Sequence, residues 1–316
     1  GEEGTKTGNN IATLIKELGM AQLLPPSVRE VVSIQLDRLH PAAFAFLVAG
    51  AVLEQDATFE RLCLVADLSE HEGLGALDEV LRSLLVQEPQ RSSGSGRNAV
   101  YTFTHPMIGE VVSVEAGEVR SRIFHRRALH ILQETAAPAA KLAHHALAAG
   151  MSEPAFRLSV AAGDEAKAIF ALDIAIEHYE QAWQVLATQR TDHAFLATIA
   201  VSDVHHLFVS LGQAYALTRA WEMPRPLYAA LLDSLLQMTA QNDKTLGEAN
   251  TLWYQALLAL SRADLEKAIM HGERALGVAR TSGHPEMIVQ SLDLLASVKL
   301  SVGAWEEYEH LVTEVR

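Results

Sequence analysis

Apolar residues recur with helical spacing through the first part of the chain. The clearest stripe lies in the segment 26–39 and consists of Val28, Val31, Val32, Gln35, Leu36 and Leu39. Residues separated by three and four positions share one face of a helix. Pro25 and Pro26 suit the start of that helix, because Pro lacks the N–H that a first turn leaves unpaired. The same criterion predicts helices at about 11–18, 41–53, 58–67 and 70–86.

A two-residue period replaces the helical one near residue 100. Aromatic and β-branched side chains alternate over the segment 99–104, which is typical of a half-buried strand. A second strand is predicted at 86–88, and the Ser- and Gly-rich segment 89–98 between them suits a loop. Three helices followed by a β-hairpin are typical of a winged-helix domain, which two more helices, at about 105–116 and 118–135, complete.

The second half of the chain is helical, rich in Ala, and carries signs of an internal repeat. Tetratricopeptide repeats place small residues where two antiparallel helices cross, and aromatic residues where the crossing leaves space. Candidate units begin at Gly163, Gly212, Ala256 and Ala296. The first unit matches well, with Tyr179 at the aromatic offset, and the other three match in part. The units are farther apart than the usual repeat of about 34 residues, so longer helices or inserted loops are expected.

Length fits two domains, or one domain plus a solenoid, and composition sets limits on chemistry. Of the 316 residues, 49% are hydrophobic and 20% charged, which permits a sizeable core. Cys63 is the only cysteine, so no intramolecular disulfide can form and a cysteine-based metal site is disfavoured. No apolar run approaches the length of about 20 residues that a membrane span needs. We therefore expect a cytoplasmic protein without membrane contact, and the lack of an initial Met favours a segment of a longer protein.

The net charge of −14 argues against direct nucleic-acid binding. Residues 1–135 hold 12 basic and 18 acidic side chains, and residues 136–316 hold 13 and 21. The predicted third helix of the winged-helix domain, which would enter a DNA groove, carries Glu70, Glu72 and several further carboxylates against Arg82 alone. Phosphate repulsion would oppose its binding to DNA.

Several stretches together resemble a known family. They are 24–32, 36–39, 49–62, 76–88, 101–112, 120–134, 142–150 and 161–186. In this order they resemble the segment after the nucleotide-binding core of signal-transduction ATPases with numerous domains, which include maltose-regulon-activator-like and LuxR-type large regulators. Gly8-Asn9-Asn10 resembles the end of the ATPase lid, although the family usually has Gly-Asn-Pro there.

The resemblance implies a mainly α fold in three parts. Residues 1–24 would be the end of an ATPase lid or a linker, and residues 25–135 a winged-helix domain with one β-hairpin. Residues 136–316 would form a tetratricopeptide-like superhelix that senses a signal or binds a partner. The resemblance further implies an ATPase domain in cis that binds ATP or ADP in the intact protein, and an output domain, often DNA-binding, at one end. No cofactor is expected in this segment.

His105 is the single residue with the most specific functional prediction. It follows the predicted strand and precedes Pro106, near the start of a helix whose free amide groups favour anions. In related ATPases a winged-helix histidine at a comparable place contacts the terminal phosphate of the nucleotide, and the resemblance implies the same role for His105. The alternative is that His105 caps the helix and packs locally, which we favour.

Other chemical motifs are weak. The phosphate-binding pattern G-x-x-x-x-G-K-[ST] is absent, so ATP hydrolysis by this segment is not expected. The pairs His144-His145 and His205-His206 suggest a metal, but adjacent helical residues point about 100° apart. We predict no metal site. Arg120, Arg122, Arg126 and Arg127 lie near several carboxylates, which favours salt bridges between helices over a nucleic-acid patch.

Large aromatic residues are the candidates for partner binding in the repeats. The set comprises Tyr179, Trp183, Trp221, Tyr228, Trp253, Tyr254, Trp305 and Tyr308, of which the first six are selected as candidates. They could line a concave surface, or they could fill space between helices, which is the more common role of aromatic residues in repeats.

The sequence thus favours a non-enzymatic regulatory segment of a signalling ATPase. Its repeats would bind a protein, a peptide or a small effector, with a modest preference for a basic or apolar partner. Two alternatives stay open: a stand-alone scaffold of helical repeats, and a hydrolase without a recognisable motif. The second would need titratable side chains that converge in a pocket.

Overall fold

The computed structural model describes residues 26–87, 99–218, 230–234, 236–237, 248–283 and 285–315. The predicted helix at 11–18, the lid or linker at 1–24, most of the loop at 89–98, and the candidates Trp221 and Tyr228 lie outside these residues. Within them the fold is mainly α, as predicted. No helix of the described residues is long and apolar enough to cross a membrane.

The chain divides into two compact units, residues 1–158 and 159–316. The helices that lie in or begin in the first unit are α1 (Pro26–Asp37), α2 (Pro41–Leu53), α3 (Phe59–Ala66), α4 (Glu70–Arg82), α5 (Pro106–Ala116), α6 (Glu118–Gln133), α7 (Ala139–Ala148) and α8 (Ser152–Ala168). Two short strands, β1 (Val86–Gln87) and β2 (Thr102–Phe103), lie between α4 and α5. The predicted domain boundary falls between α6 and α7, which pack against each other within this unit.

Helix α2 is the centre of the first unit. Its sequence, PAAFAFLVAGAVL, has no charged residue, and an α-helix that is apolar all round is stable only when it is surrounded. Helices α3, α4, α5 and α6 all pack against it. Phe46 and Leu47 are among its fully buried side chains. The core of this unit is therefore built around one helix.

The helix boundaries follow from local capping. Ser69 and Glu72 form a reciprocal capping box at the start of α4, since the Ser69 N–H donates to the Glu72 carboxylate at 2.9 Å and the Glu72 N–H donates to Ser69 Oγ at 3.3 Å. The sequence predicted that α4 would continue to residue 86, but it ends at Arg82. Leu84 has a φ of +59°, which breaks the helix and lets the following residues enter a strand.

The two strands pair antiparallel, with Val86 opposite Phe103 and Gln87 opposite Thr102. The second strand is shorter than the predicted segment 99–104. Val100 instead forms an isolated bridge with Thr58, at the start of α3, so this segment is shared between two partners. The Phe103 ring lies against α5 at Gly109, where an added Cβ would be 3.1 Å from it.

The second unit consists of consecutive helices. They are α9 (Leu172–Gln189), α10 (His193–Leu196), α11 (Val201–Thr218), α12 (Glu248–Ser261), α13 (Leu265–Ser282), α14 (Pro285–Ser301) and α15 (Trp305–Val315). From α12 to α15 each helix packs on the next, and α9 packs on α11. Short turns join α12 to α15, and the one between α14 and α15 uses Gly303 at a φ of +76°.

Small residues allow close contacts in this unit. A Cβ added at Gly163 would lie 2.4 Å from the Tyr179 ring, and one added at Gly272 would lie 2.8 Å from Leu295. Both distances are shorter than real carbon contacts, so a larger residue at either position would require the neighbouring side chain to shift. Ala256, Ala268 and Ala275 have no exposed surface, so α12 and α13 also present small residues to their neighbours.

Candidate functional site

Four of the predicted partner-binding aromatic residues lie inside the second unit. Tyr179 has 0% exposure, Tyr254 has 6%, and Trp183 and Trp253 each have 8%. The indole N–H of Trp253 donates to the Gln290 carbonyl at 3.1 Å, which ties α12 to α14. In this arrangement the four side chains fill space between helices and offer little surface to a partner. Sequence periodicity located these aromatic residues in the repeats but did not show whether they face the interior of the unit or a partner.

Other aromatic side chains of this unit are exposed. Phe170, in the turn between α8 and α9, has 84% exposure, and Trp305, at the start of α15, has 63%. Phe170 has a φ of +59°, which is uncommon for a bulky residue. An exposed apolar side chain of this size gains free energy when a partner covers it. The sequence analysis did not select Phe170, because a turn residue belongs to no apolar stripe.

Tyr179 takes part in a polar network with Asp164 and His206. Its hydroxyl donates to Asp164 Oδ1 at 2.7 Å, and His206 Nε2 lies 2.9 Å from Asp164 Oδ2. Burial, together with the neighbouring carboxylate, raises the pKa of Tyr179 above its usual value. The tyrosine therefore stays protonated and serves as a donor, so the network fixes α8, α9 and α11 in place.

His205 lies beside the buried aromatic residues. Its ring meets Trp253 edge-on at 4.9 Å between centroids, and Tyr254 at 6.0 Å. Burial, and to a smaller extent His206, lowers the pKa of His205 to about 4. The ring is therefore neutral at pH 7.

His105 caps α5. Its Nδ1 accepts a hydrogen bond from the Met107 N–H at 3.3 Å, and its side chain is exposed. His40 caps α2 in the same way, through the Ala42 N–H at 3.4 Å, and it too precedes a Pro. A His-Pro pair thus starts two helices of the first unit, and capping accounts for the local position of His105. Its implied role as a nucleotide sensor stays a prediction.

The arginine cluster of α6 is committed to contacts within the first unit. Arg127 donates to Asp67 at 2.7 Å and to the Val65 carbonyl at 3.1 Å. Arg122 pairs with Glu118 on the same helix at 2.6 Å. Arg120 lies over the Phe44 ring, with 5.1 Å between the guanidinium carbon and the ring centroid, and borders a cleft of about 480 Å³. Arg127 thus makes an ion pair with another element, of the kind that the sequence favoured, whereas Arg122 pairs within α6 and Arg120 contacts an aromatic ring.

Cys63 is buried in α3, and burial raises the pKa of its thiol. A raised pKa leaves little thiolate, the reactive form, at neutral pH. Gly73 of α4 lies so close that an added Cβ would be 2.3 Å from the sulfur. Cys63 therefore has a packing role.

A cleft of about 400 Å³ with both polar and apolar lining lies in the second unit beside α12 and α13, and we call it the α12–α13 cleft. Its polar lining consists of Asp233, Gln237, Gln255, Arg262, Asp264, Lys267 and His271. The sequence analysis missed it, because these side chains come from separate segments and form no local motif. Only the contact between α12, α13 and residues 230–237 brings them together.

Charges in this cleft occur in pairs. Arg262 donates to Asp233 at 2.7 Å, and Lys267 donates to Asp264 at 2.7 Å. His271 Nδ1 is buried and has no hydrogen-bond partner among the residues that the structure describes. Burial, then Arg274 and Lys267, lowers the pKa of His271. The cleft thus offers cations, carboxylates and a neutral imidazole to a ligand.

Three histidines meet in the first unit. His125 of α6 faces His144 and His145 of α7, and their ring nitrogens lie within 4.8 Å of one another. The sequence analysis judged the pair 144–145 alone and predicted no metal. It did not include His125, because this residue is distant along the chain and becomes a neighbour only when α6 packs on α7.

Comparisons with known proteins add little to this geometry. No family model matches the chain. No curated protein matches it either. Among solved structures it is similar to BtubC (BKLC) from P. vanneervenii, with 15% sequence identity and a TM-score of 0.33 over 90% of this chain and 89% of that chain. A TM-score of this size carries no argument about fold or function.

Proposed function

We propose that this chain is a non-enzymatic regulatory segment of a multidomain signalling ATPase. A winged-helix domain would precede tetratricopeptide-like repeats that bind a partner protein, a peptide or a small effector. The observation that carries the proposal is the α12–α13 cleft, a concave surface with charged and apolar lining on a scaffold of stacked helices. Solenoids of paired helices commonly present such surfaces to ligands.

The first unit supports the winged-helix part of the proposal. Helices α2, α3 and α4 precede an antiparallel strand pair, and α5 follows it directly. The bridge between Thr58 and Val100 ties the strand segment back to the start of α3. This order of three helices and a hairpin is the one that the sequence resemblance implies.

The second unit supports the repeat part. Helices α12 to α15 pack each on the next across short turns, as in a solenoid. Gly163 lies against Tyr179 at the helix crossing where the repeat pattern places a small residue beside an aromatic one. Ala256, Ala268 and Ala275 are likewise fully buried at the positions that the pattern assigns to small residues.

The charged side chains of the cleft favour a ligand that carries both positively and negatively charged groups. A carboxylate of the ligand could replace Asp233 on Arg262, and an ammonium or guanidinium group could pair with Asp264. A short polar peptide meets this requirement. The excess of acidic over basic residues in the second half favours a peptide that is basic overall.

Catalysis is not part of the proposal. Nucleophilic catalysis requires a nucleophile within hydrogen-bond reach of a base and a third group that orients the base. The two carboxylates of the cleft are paired with cations, and the lining residues that the structure describes include no Ser, Thr or Cys. ATP or ADP would bind to the ATPase domain in cis. We place the protein in the cytoplasm, with no direct contact to nucleic acid or membrane.

The coding sequence on either side of this segment tests the ATPase assignment. We expect a phosphate-binding G-x-x-x-x-G-K-[ST] motif upstream and a DNA-binding or cyclase domain at one end. An open reading frame that ends at this segment on both sides would contradict the assignment and favour a scaffold protein.

Peptide selection tests the cleft. Short random peptides displayed on phage would be selected on the purified chain, and the enriched peptides titrated by calorimetry. We expect Arg262→Ala to weaken binding by at least about tenfold, because a charged hydrogen bond contributes roughly 1.5–3 kcal/mol. Arg190→Ala, an exposed arginine of the same unit, is the matched control. Equal binding by both variants would contradict a role for the cleft.

A further inference from the structure

The three histidines of the first unit form a compact group. The ring centroids of His125 and His145 are 5.2 Å apart, those of His144 and His145 are 5.3 Å apart, and those of His125 and His144 are 5.5 Å apart. The rings therefore stand at the corners of a nearly equilateral triangle. Packing of apolar residues alone has no preference for three imidazoles at such even spacing.

This spacing matches three ligands of one metal ion. Zinc binds an imidazole nitrogen at about 2.0 Å, and three imidazoles at tetrahedral positions place their ring centres roughly 5 Å apart. Adjacent histidines on one helix point in different directions and do not chelate by themselves. Here His125 approaches from the neighbouring helix, so that one ring nitrogen of each of the three histidines lies within 4.8 Å of the other two.

The protonation state of the cluster suits metal binding. His125 Nδ1 and His145 Nδ1 are 2.9 Å apart, so one nitrogen donates a hydrogen to the other and at most one of them carries it. The nitrogen that accepts this hydrogen has the free lone pair that a metal ligand needs. The shared hydrogen would move to the outer nitrogen of its ring.

The surroundings hold the cluster in place without competing for an ion. His145 is buried at 3% exposure, whereas His144 is exposed, so one side of the cluster is open to solvent. Lys141 lies one turn before His145, and its ammonium group pairs with Asp56, which also accepts from Arg61 at 2.9 Å. The ammonium group of Lys141 is therefore held by a carboxylate that it shares with Arg61.

We propose that His125, His144 and His145 bind a divalent transition-metal ion of the zinc class, with the fourth position open to water. The ion would join α6 to α7. It would stabilise the folded first unit, because a ligand that binds only the native state shifts the unfolding equilibrium towards that state. This inference is independent of the proposed function, since the cluster lies in the first unit and the cleft in the second.

Metal titration of the purified chain, with any affinity tag removed, tests the proposal. We expect one Zn²⁺ per chain by calorimetry and a rise in the unfolding temperature when Zn²⁺ is added. Co²⁺, used as a probe, should give the intense visible absorption of a four-coordinate site. A chain that binds neither ion, or that binds several ions weakly with no change in unfolding temperature, overturns the proposal.

Variants locate the site. His144→Gln and His125→Gln should each lower Zn²⁺ affinity at least about tenfold, since loss of even an outer partner of a metal site costs 10–100-fold. His130→Gln, an exposed histidine of α6, should bind as the unchanged chain does. Because His144 is exposed, its variant should fold normally, which circular dichroism would verify. Unchanged affinity in both ligand variants places the ion elsewhere and overturns the proposal.

Discussion

The contacts that stabilise the first unit internally differ from those that stabilise the second unit internally. In the first, α2 contacts four other helices, and polar contacts join residues far apart in sequence, such as Ser33 with Glu115 at 2.9 Å and Arg127 with Asp67 at 2.7 Å. In the second, the helices from α12 to α15 contact mainly their neighbours along the chain. The first unit therefore resembles an ordinary globular core, and the second a linear array. A destabilising substitution in the first unit should therefore affect many helices, whereas one in the second unit should affect mainly the neighbouring helices.

The largest expected effect is that of Phe46→Ala. Phe46 is 2% exposed in the helix around which the first unit is built. Its removal leaves a cavity that several helices share, and such substitutions cost about 3–5 kcal/mol. Denaturant titration would measure the loss of unfolding free energy. Hydrogen exchange should show reduced protection throughout α2 to α6, and reduced protection in α2 alone would contradict the description of a shared core.

Gly163→Ala should have the next largest effect, in the second unit. The added methyl group would meet the Tyr179 ring at 2.4 Å, and overpacking of this kind costs about 1–3 kcal/mol. Gly277→Ala is the matched control, because Gly277 also lies in a helix but has open space around its Cα. The control should stabilise by about 0.5–1 kcal/mol, since Ala favours helix more than Gly does. Equal effects on the free energy of unfolding would show that the close crossing contributes nothing.

Much of the fold could be predicted from the sequence, for reasons visible in these residues. Helical periodicity and Pro located α2, α5 and α6 to within a few residues, because local spacing fixes them. The pair Gly163 and Tyr179 was found from the repeat offset alone. The sequence could not show whether the aromatic side chains at 183, 253 and 254 are buried or exposed. Periodicity identifies a stripe of apolar residues on a helix but not whether another helix packs on it. The α12–α13 cleft and the histidine cluster depend on which helices pack together, which no local pattern contains.

The pH dependence of stability should report on His205 together with His125 and His145, whose pKa values are lowered to about the same value. The pKa of His205 is about 4 in the folded state and about 6.5 when unfolded, so the unfolded chain binds the extra proton between these values. The stabilisation by this histidine is complete above pH 6.5 and is lost as the pH falls towards 4, by at most about 3 kcal/mol. Denaturant titrations at several pH values, with a chelator present, would measure it. His205→Gln should remove the contribution of His205 to this part of the profile and leave the contributions of His125 and His145, whereas His193→Gln should leave the whole profile unchanged.

A smaller difference in stability should distinguish an ion pair between α6 and another element from an ion pair within α6. Arg127→Ala removes contacts to Asp67 and to the Val65 carbonyl on α3 and the turn after it, and we expect a loss of about 1 kcal/mol. Arg122→Ala removes an exposed pair within one helix, which contributes about 0.5 kcal/mol or less. Thermal unfolding of both variants at low and high salt would measure the difference. A larger loss in Arg122→Ala would contradict the importance of long-range ties in the first unit.

The central claim is that the second unit is a binding arm and that its ligand occupies the α12–α13 cleft. Hydrogen–deuterium exchange with and without a selected peptide tests this most directly. The account predicts slower exchange in residues 255–271 and 230–237 when the peptide is bound, with little change elsewhere in the second unit. Protection confined to other helices, or slower exchange that persists unchanged in Arg262→Ala, would contradict it.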